Sequence, residues 1–375
     1  MIKVVHVISD TNVGGAGVHL CNLLSAADRN RFSYAVVLPQ GSALVPRLIA
    51  LNIPAIGIRH GADRSCDFSA VPELFKVIPS LAPHIVHTHG AFYGRIAAKL
   101  HHVPIIVSTR HCANMHQAEG SSLHKYLTNR LDRHFCSHTI ATADYVRDVL
   151  ISQGYRRNRV TVIHNGSLPP PPLSSEEKNL LRSELGIKEG DLAVGMVARL
   201  AHGKGHETFL RAVKLCAARN DRILFFIIGS GERESELKQI ASRLGIARRV
   251  SFLGFRTDAK KLMEILDINV NCSEHSETSS LSLSEGMSVG AVPIVTDCGG
   301  NPYMAGFGKN GIVFPINDDR ALASAILKLA EERQTLSALS ACCQVRFEQE
   351  FTAQRMATRT EALYKRLFAE FIAQS

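Results

Sequence analysis

Short runs of apolar and β-branched residues alternate, over the first 165 positions, with stretches whose apolar residues recur every three or four places. The runs Lys3–Ile8, Tyr34–Leu38, Ala55–Ile58, Ile85–His87, Ile105–Thr109, Thr139–Thr142 and Val160–Ile163 read as strands. Between them, Val18–Ala27, Val71–Leu81, Arg95–His101 and Ala143–Gln153 carry the spacing of amphipathic helices. The strands are apolar on both faces, which is the pattern of a parallel sheet covered by helices on each side.

This rhythm stops at His164-Asn165-Gly166-Ser167-Leu168 and the four prolines Pro169–Pro172, which can continue neither a helix nor a sheet. A second series follows. Its strands are Leu192–Val197, Leu224–Ile228, Val250–Leu253, Ile268–Asn271, Val292–Thr296 and Gly311–Phe314. Its helices are Glu207–Ala217, Glu232–Leu244, Asp258–Leu266, Leu281–Val289 and Arg320–Glu332. The end, Ala338–Ile372, is helical and mostly exposed in its pattern. The expected fold class is α/β, with two Rossmann-like parallel-sheet domains facing across a cleft. The expected boundaries are 1–165, 166–350, and a terminal helix over 351–375 that returns to the first domain. A chain of 375 residues is long enough for two such cores.

Composition narrows the class. A chain with 45% hydrophobic and 21% charged residues is that of a globular protein. No run approaches the ~20 apolar residues that span a bilayer, and the start reads as a buried strand rather than a leader peptide. Nine cysteines show no metal-ligand spacing and read as free thiols of a reducing cytosol. The net charge of +9 is concentrated: residues 1–165 hold 17 Lys and Arg against 9 Asp and Glu, together with 14 of the 17 histidines. Such a basic half favours anionic lipid headgroups or phosphorylated glycans. With 6% aromatic residues, no Trp and no nucleic-acid-binding signature, a nucleic-acid partner is not expected.

In open parallel sheets, ligands bind beyond the carboxyl ends of the strands, and the chemistry-bearing residues of this chain fall in those loops. After the first strand, Gly14, Gly15 and Gly17 open a helix and let the backbone approach a ligand. Leu20 stands where a dinucleotide fingerprint needs its third glycine, and no acid ends the second strand, so the loop is not an NAD site. Later loops present His87, His89 and then Arg110 and His111. His87 reads as packed in the strand end, whereas His89 and His111 can bond sugar hydroxyls or move protons. In the second half, Arg199 and Lys204 flank a Gly-flexed loop and can grip a diphosphate, without the Walker pattern. Gly229-Ser230-Gly231 follows the next strand as another turn to a helix, and Asp297 to Pro302 follows a later one.

The most informative segment is Glu277-Thr278-Ser279-Ser280-Leu281-Ser282-Leu283-Ser284-Glu285. A helix starting near Ser280 offers free N–H groups and a positive end to a phosphate, with a carboxylate on either side for hydroxyls. The ligand this suits carries both phosphate and hydroxyls, as a nucleotide-sugar does. No D-x-D motif suggests a metal, so no cofactor is expected and phosphate charge falls to Arg, Lys and helix ends.

Taken together, the Gly14-Gly15 loop, His111, Asn165-Gly166, Arg199…Lys204-Gly205, Glu277-x7-Glu285 and Pro293…Asp297…Gly299-Gly300 resemble glycosyltransferase family 4, the retaining transferases of the GT-B fold. The resemblance covers nearly the whole chain in order. It implies that Arg199 and Lys204 stabilise the donor diphosphate and leaving group, and that Glu285 bonds the ribose. It implies further that Glu277 holds the transferred sugar, that His111 contacts that sugar or the acceptor, and that Gly14 and Gly15 approach the phosphates. Gly229, Ser279, Ser280 and Leu281 complete the donor side, and His89 and Arg110 fall on the acceptor side. The sequence departs from the family at Thr278-Ser279-Ser280 and at Tyr303, positions that bear on the donor sugar. The implied enzyme is cytoplasmic, metal-independent and peripheral on the inner face of the membrane. It uses a nucleoside-diphosphate sugar, UDP-based, and a glycan or lipid-linked acceptor of envelope polysaccharide or lipopolysaccharide synthesis. A UDP-sugar epimerase of the same fold and a non-catalytic sugar-nucleotide-binding module are the alternative readings.

Overall fold

The computed structural model describes residues 1–112, 130–275 and 277–374. It contains two parallel sheets, one in each of two compact units. The first unit holds Met1–Gly166 and Ala353–Ser375, and the second holds Ser167–Thr352.

The first sheet consists of β1 (Ile2–Ile8), β2 (Phe32–Pro39), β3 (Ala55–Ile58), β4 (Ile85–His89), β5 (Ile105–Arg110), β6 (His138–Ala141) and β7 (Val160–Val162). Their order across the sheet is β3-β2-β1-β4-β5-β6-β7. Successive residues of β1 serve opposite faces, as a pleated strand requires. Val4 and Ile8 join a core with Leu20, Leu24 and Phe32, while Val5 and Val7 join another with Leu74, Ile78 and Tyr93. Each fully buried aliphatic or aromatic side chain of this kind contributes roughly 1.5–3 kcal/mol.

The second sheet consists of β8 (Leu192–Val197), β9 (Ile223–Ile228), β10 (Val250–Gly254), β11 (Ile268–Asn271), β12 (Val292–Thr296) and β13 (Ile312–Phe314), in the order β10-β9-β8-β11-β12-β13. In both sheets the chain lays down strands toward one edge, then returns to the middle and proceeds toward the other. The reversal falls between β1 and β4 in the first sheet and between β8 and β11 in the second. At such a point the two flanking loops diverge over opposite faces and leave a crevice at the carboxyl ends of the strands.

The segments that join the units lie side by side. The Ser167 N–H donates to the Phe351 carbonyl at 2.9 Å, and Ser167 pairs in parallel with Thr352. The last helix, Ala353–Gln374, departs from the exposed pattern expected of it. Ala353, Met356, Ala357, Thr360, Glu361, Leu363 and Tyr364 are buried, and Met356, Ala357, Leu363 and Tyr364 belong to the same core as Val4 and Leu20. Two further helices escape the sequence pattern. Val45–Ala50 buries only Leu48, and Ser175–Glu184 buries no residue, so neither carries a full apolar stripe. The second is marked instead by a capping box of Ser174 and Glu177. Among the described residues no helix is long and apolar enough to cross a membrane.

One buried ion cluster ties the edge of the first unit together. Asp132 lies 2.7 Å from Arg95 and 2.6 Å from Arg110, all three nearly inaccessible. The Tyr155 hydroxyl donates to Asp132 and accepts from Arg110 at 2.8 Å. Burial opposes ionisation of Asp132, but the two guanidiniums outweigh it and hold the carboxyl at about 2. Because the folded-state value lies below the ordinary 3.8, the contribution is present above that pH and is lost as pH falls toward 2. Thermal melts between pH 5 and pH 2 are expected to show a loss of ~2 kcal/mol from this group. At neutral pH, Asp132→Asn removes the carboxylate that both buried guanidiniums face and is expected to cost about 3–5 kcal/mol in urea unfolding. The same variant removes that part of the acid dependence.

Candidate active site

The loops that follow β8 and β11 meet at the reversal point of the second sheet. Lys204 and Gly205 end the β8 loop, and Gly205 precedes the helix His206–Ala217 with a φ of +72°. A Cβ at Gly205 would stand 2.0 Å from the Cys272 carbonyl oxygen, so only glycine lets this loop lie against the chain leaving β11. The close approach delivers Lys204 to Glu277, with Nζ 2.8 Å from the carboxylate. A second glycine acts from the loop after β12. Gly299 has a φ of +55°, and a Cβ there would stand 2.0 Å from the Glu277 carbonyl oxygen, which also accepts from the Gly300 N–H at 3.0 Å.

Glu277 is therefore held from three loops. Its carboxylate accepts from Ser273 Oγ at 2.6 Å and from Asn271 Nδ2 at 3.5 Å, besides Lys204. The Asn271 side-chain oxygen in turn accepts from the Ser273 N–H at 2.9 Å and from fully buried Asn301 at 3.3 Å. Burial raises the cost of charge on Glu277, but Lys204 and the hydrogen bonds from Lys204, Ser273 and Asn271 prevail and keep its carboxyl below the ordinary value. The sequence singled out Glu277 and Lys204 but not their pairing, nor Asn271, Ser273 and Asn301. Asn271 and Ser273 lie at the end of β11 and Asn301 opens the short helix Asn301–Met304, and nothing in their linear spacing relates them.

The helix Leu281–Ser288 begins as the spacing predicts, with Ser280 as its N-cap accepting from the Leu283 N–H at 3.4 Å. Ser279 and Thr278 are buried beside it. Glu285 is buried in the second turn, and its carboxylate lies 2.9 Å from Lys260, an ion pair the sequence did not show. Arg199 is exposed at the end of β8 and forms no ion pair among the described residues. Gly229 packs against the β8 loop: a Cβ there would stand 2.1 Å from the Ala198 carbonyl oxygen. The Leu200 N–H donates to Ser230 at 2.9 Å in the same contact, and the next helix starts only at Glu234.

The corresponding point of the first sheet gathers histidines. Gly14 caps the helix Gly15–Ser25 directly after β1. His89 ends β4, and its Nδ1 lies 3.1 Å from Nε2 of half-buried His111, which follows β5. On its other side His89 Nε2 lies 3.0 Å from His6 Nδ1. The His19 ring meets His111 edge-on with centroids 4.7 Å apart, and His19 Nδ1 lies 2.8 Å from Asn165 Oδ1. His87 packs within the strand end, between Thr109 and Tyr364. Burial pushes His6 down to about 3 and His19 to about 4, and lowers His87, His89 and His111 well below the ordinary imidazole value. All five are neutral at physiological pH. Arg110, expected on the acceptor side, instead directs its guanidinium into the buried cluster with Asp132. His6 and His19 were not singled out from the sequence, although the concentration of histidines in the first 165 residues was a signal.

Two parallel-sheet units with loops of this kind define a GT-B glycosyltransferase. The description "Glycosyltransferase Family 4" matches residues 13–167 and "Glycosyl transferases group 1" matches residues 177–342. The chain belongs to glycosyltransferase family 4. It is 27% identical over 290 residues to the putative glycosyltransferase EpsD of Bacillus subtilis, covering 73% of this chain and 74% of that one. It is 25% identical over 315 residues to an Escherichia coli UDP-Gal:alpha-D-GlcNAc-diphosphoundecaprenol alpha-1,3-galactosyltransferase, covering 80% and 79%. Anabaena Alr3699/HepE, solved in complex with UDP and glucose, shares the fold with a TM-score of 0.85 at 22% identity, over 97% of this chain and 100% of that one.

The glycine contacts are testable without a substrate. Gly299→Ala combines a positive φ with a collision against backbone, and is expected to destabilise the second unit by about 1–3 kcal/mol in urea unfolding. Gly15→Ala, where a Cβ meets nothing within 4 Å, is expected to leave stability unchanged.

Proposed function

We propose that the protein is a retaining glycosyltransferase that transfers a sugar from a UDP-sugar to a lipid-linked or glycan acceptor in the synthesis of envelope polysaccharide. The observation that carries this reading is the Lys204–Glu277 pair at the reversal point of the second sheet. It sets a cation and a carboxylate side by side, next to the start of the helix Leu281–Ser288.

Breaking a sugar–phosphate bond builds negative charge on the departing diphosphate and positive charge on the sugar ring. Lys204 and Arg199 are assigned to the diphosphate, with the N–H groups of the helix start beside them. A diphosphate competes with Glu277 for Lys204. Glu277 keeps its hydrogen bonds from Ser273 and Asn271 when the lysine turns away, so the carboxylate stays fixed for the hydroxyls of the transferred sugar. Glu285 is assigned to the ribose. His111 is assigned to the sugar or the acceptor, as a neutral imidazole able both to donate and to accept.

The E. coli relative is named for a UDP-sugar donor and an undecaprenyl diphosphate acceptor, and HepE was solved with UDP. Both support the choice of donor, and the first supports a lipid-linked acceptor. The acceptor side is assigned to the basic first unit. There His111 follows the carboxyl end of β5, and Lys99, Arg133, Arg156 and Arg159 line a separate hollow near the amino ends of β6 and β7, a surface that suits anionic headgroups rather than the reacting acceptor.

Lys204→Ala and Arg199→Ala are each expected to weaken UDP binding in calorimetry by roughly 10- to 100-fold, the loss of one charge-assisted contact. Unchanged affinity in both removes the diphosphate assignment. Glu277→Gln is expected to lower transfer far more than UDP affinity, and parallel losses argue against its place at the sugar. Mass spectrometry of incubations with UDP-sugars and undecaprenyl-diphosphate-linked acceptors is expected to show glycosylated acceptor. Isomerised donor without acceptor product identifies an epimerase, and UDP-dependent thermal stabilisation without turnover identifies a binding module. Binding to anionic vesicles at low salt is expected to exceed binding to neutral ones, and equal binding removes the membrane contact.

A further inference from the structure

The proposed transfer reaction uses one histidine of the first unit, yet five converge there. Two groups of three bring one ring nitrogen from each member within 4.8 Å of the others: His6, His87 and His89, and His19, His89 and His111. The first group is closed. All its members are fully buried, and both nitrogens of His87 are engaged, Nε2 with Thr109 at 2.7 Å and Nδ1 with Tyr364 at 2.5 Å. The second group includes His111, which is only half-buried.

We propose that His19, His89 and His111 form a three-imidazole site for a divalent transition metal of the zinc class. The members are fixed in the way metal-binding histidines are fixed. An amide oxygen only accepts, so His19 donates its Nδ1–H to Asn165 Oδ1 at 2.8 Å, which leaves Nε2 with its lone pair exposed to the group. His89 Nε2 lies 3.0 Å from His6 Nδ1, and the tautomer that donates Nε2–H to His6 leaves Nδ1 facing His111. His89 Nδ1 and His111 Nε2 stand 3.1 Å apart. Tetrahedral bonds of about 2.0–2.1 Å to zinc set neighbouring nitrogens roughly 3.3 Å apart, so this pair needs to move by only a few tenths of an ångström. On loading, the proton of the hydrogen bond between those two nitrogens passes from His111 Nε2 to His111 Nδ1, and the two facing lone pairs bond the metal.

The donor set also selects the ion. Imidazoles suit zinc, copper, nickel and iron, whereas calcium and magnesium require oxygen ligands that this group does not offer. Three neutral ligands leave the full charge on the metal, which favours water, hydroxide or a phosphate oxygen in the fourth position. Loading occupies His111. On the function proposed above, which assigns His111 to the sugar or the acceptor, the metal is therefore an inhibitor. The binding itself does not rest on that function.

The test uses the untagged full chain after treatment with a chelator. Equilibrium dialysis against zinc is expected to show one tightly held ion per chain, and cobalt to give the visible absorption bands of a tetrahedral site. His19→Ala and His111→Ala are each expected to weaken zinc binding by more than 10-fold. Asn165→Leu, which removes the outer hydrogen bond to His19, is expected to weaken it by about 10- to 100-fold. His102→Ala, at an exposed position, is expected to change nothing. Circular dichroism and thermal melts of the same variants, without metal, confirm that each folds. Absence of stoichiometric zinc binding by the unsubstituted chain overturns the proposal, as does binding that survives the double substitution His19→Ala and His111→Ala. Zinc that binds as expected without slowing transfer leaves the site standing and removes the assignment of His111 in the reaction. Active transferase without zinc binding does the reverse.

Discussion

A parallel sheet must cover both faces with helices, and each connecting helix has to lie on one face or the other. Where the strand order reverses, the helices on either side part company, and the strand ends between them are left open. Each unit of this chain has one such place. Every residue assigned a chemical role sits in or beside the loops around it, or on the strands and helices that border it. The glycines Gly205 and Gly299 then compress the loops of the second unit until three chain segments touch the same glutamate. The backbone geometry, more than any single side chain, determines that Glu277 and Lys204 meet.

Much of this architecture is legible in the residues. The strands of both sheets follow from apolar runs bounded by turn residues, because strands buried on both faces leave an unbroken hydrophobic signature. The start of the helix at Leu281 is marked by a serine cap, and Glu277 stands out because a carboxylate beside an anion site has a chemical reason to be there. Other features are silent for equally physical reasons. Ser175–Glu184 buries nothing and so has no stripe to read. The final helix was underestimated because its buried stripe includes Thr360 and Glu361, polar residues whose partners come from elsewhere. Glu361 accepts from the Tyr34 hydroxyl at 2.9 Å and from the Asp28 N–H at 2.7 Å, more than three hundred positions away in the chain.

The site shows the same division. A residue is recognisable when its chemistry is unusual for its surroundings, and hidden when its importance lies in whom it touches. Asn271, Ser273 and Asn301 are ordinary polar residues until the loops bring them around Glu277. Arg110 looked like a free cation after a strand, and only the fold reveals Asp132 and Arg95 beside it. His87, His89 and His111 are visible one by one, but the group of five is not, since residues 6, 19, 87, 89 and 111 share no spacing. Parallel pairing of β1 with β4 sets His6 beside His87, with His89 two places further along the same strand.

The membership of the terminal helix has a consequence for synthesis. The second unit is one uninterrupted stretch, Ser167–Thr352, and all of its packing partners are available once that stretch has left the ribosome. The first unit begins earlier but lacks Met356, Ala357, Leu363 and Tyr364 from its core until the whole second unit has been made. The portion translated first is thus the portion completed last. Until then, the apolar surface that those four residues cover is exposed on the nascent chain.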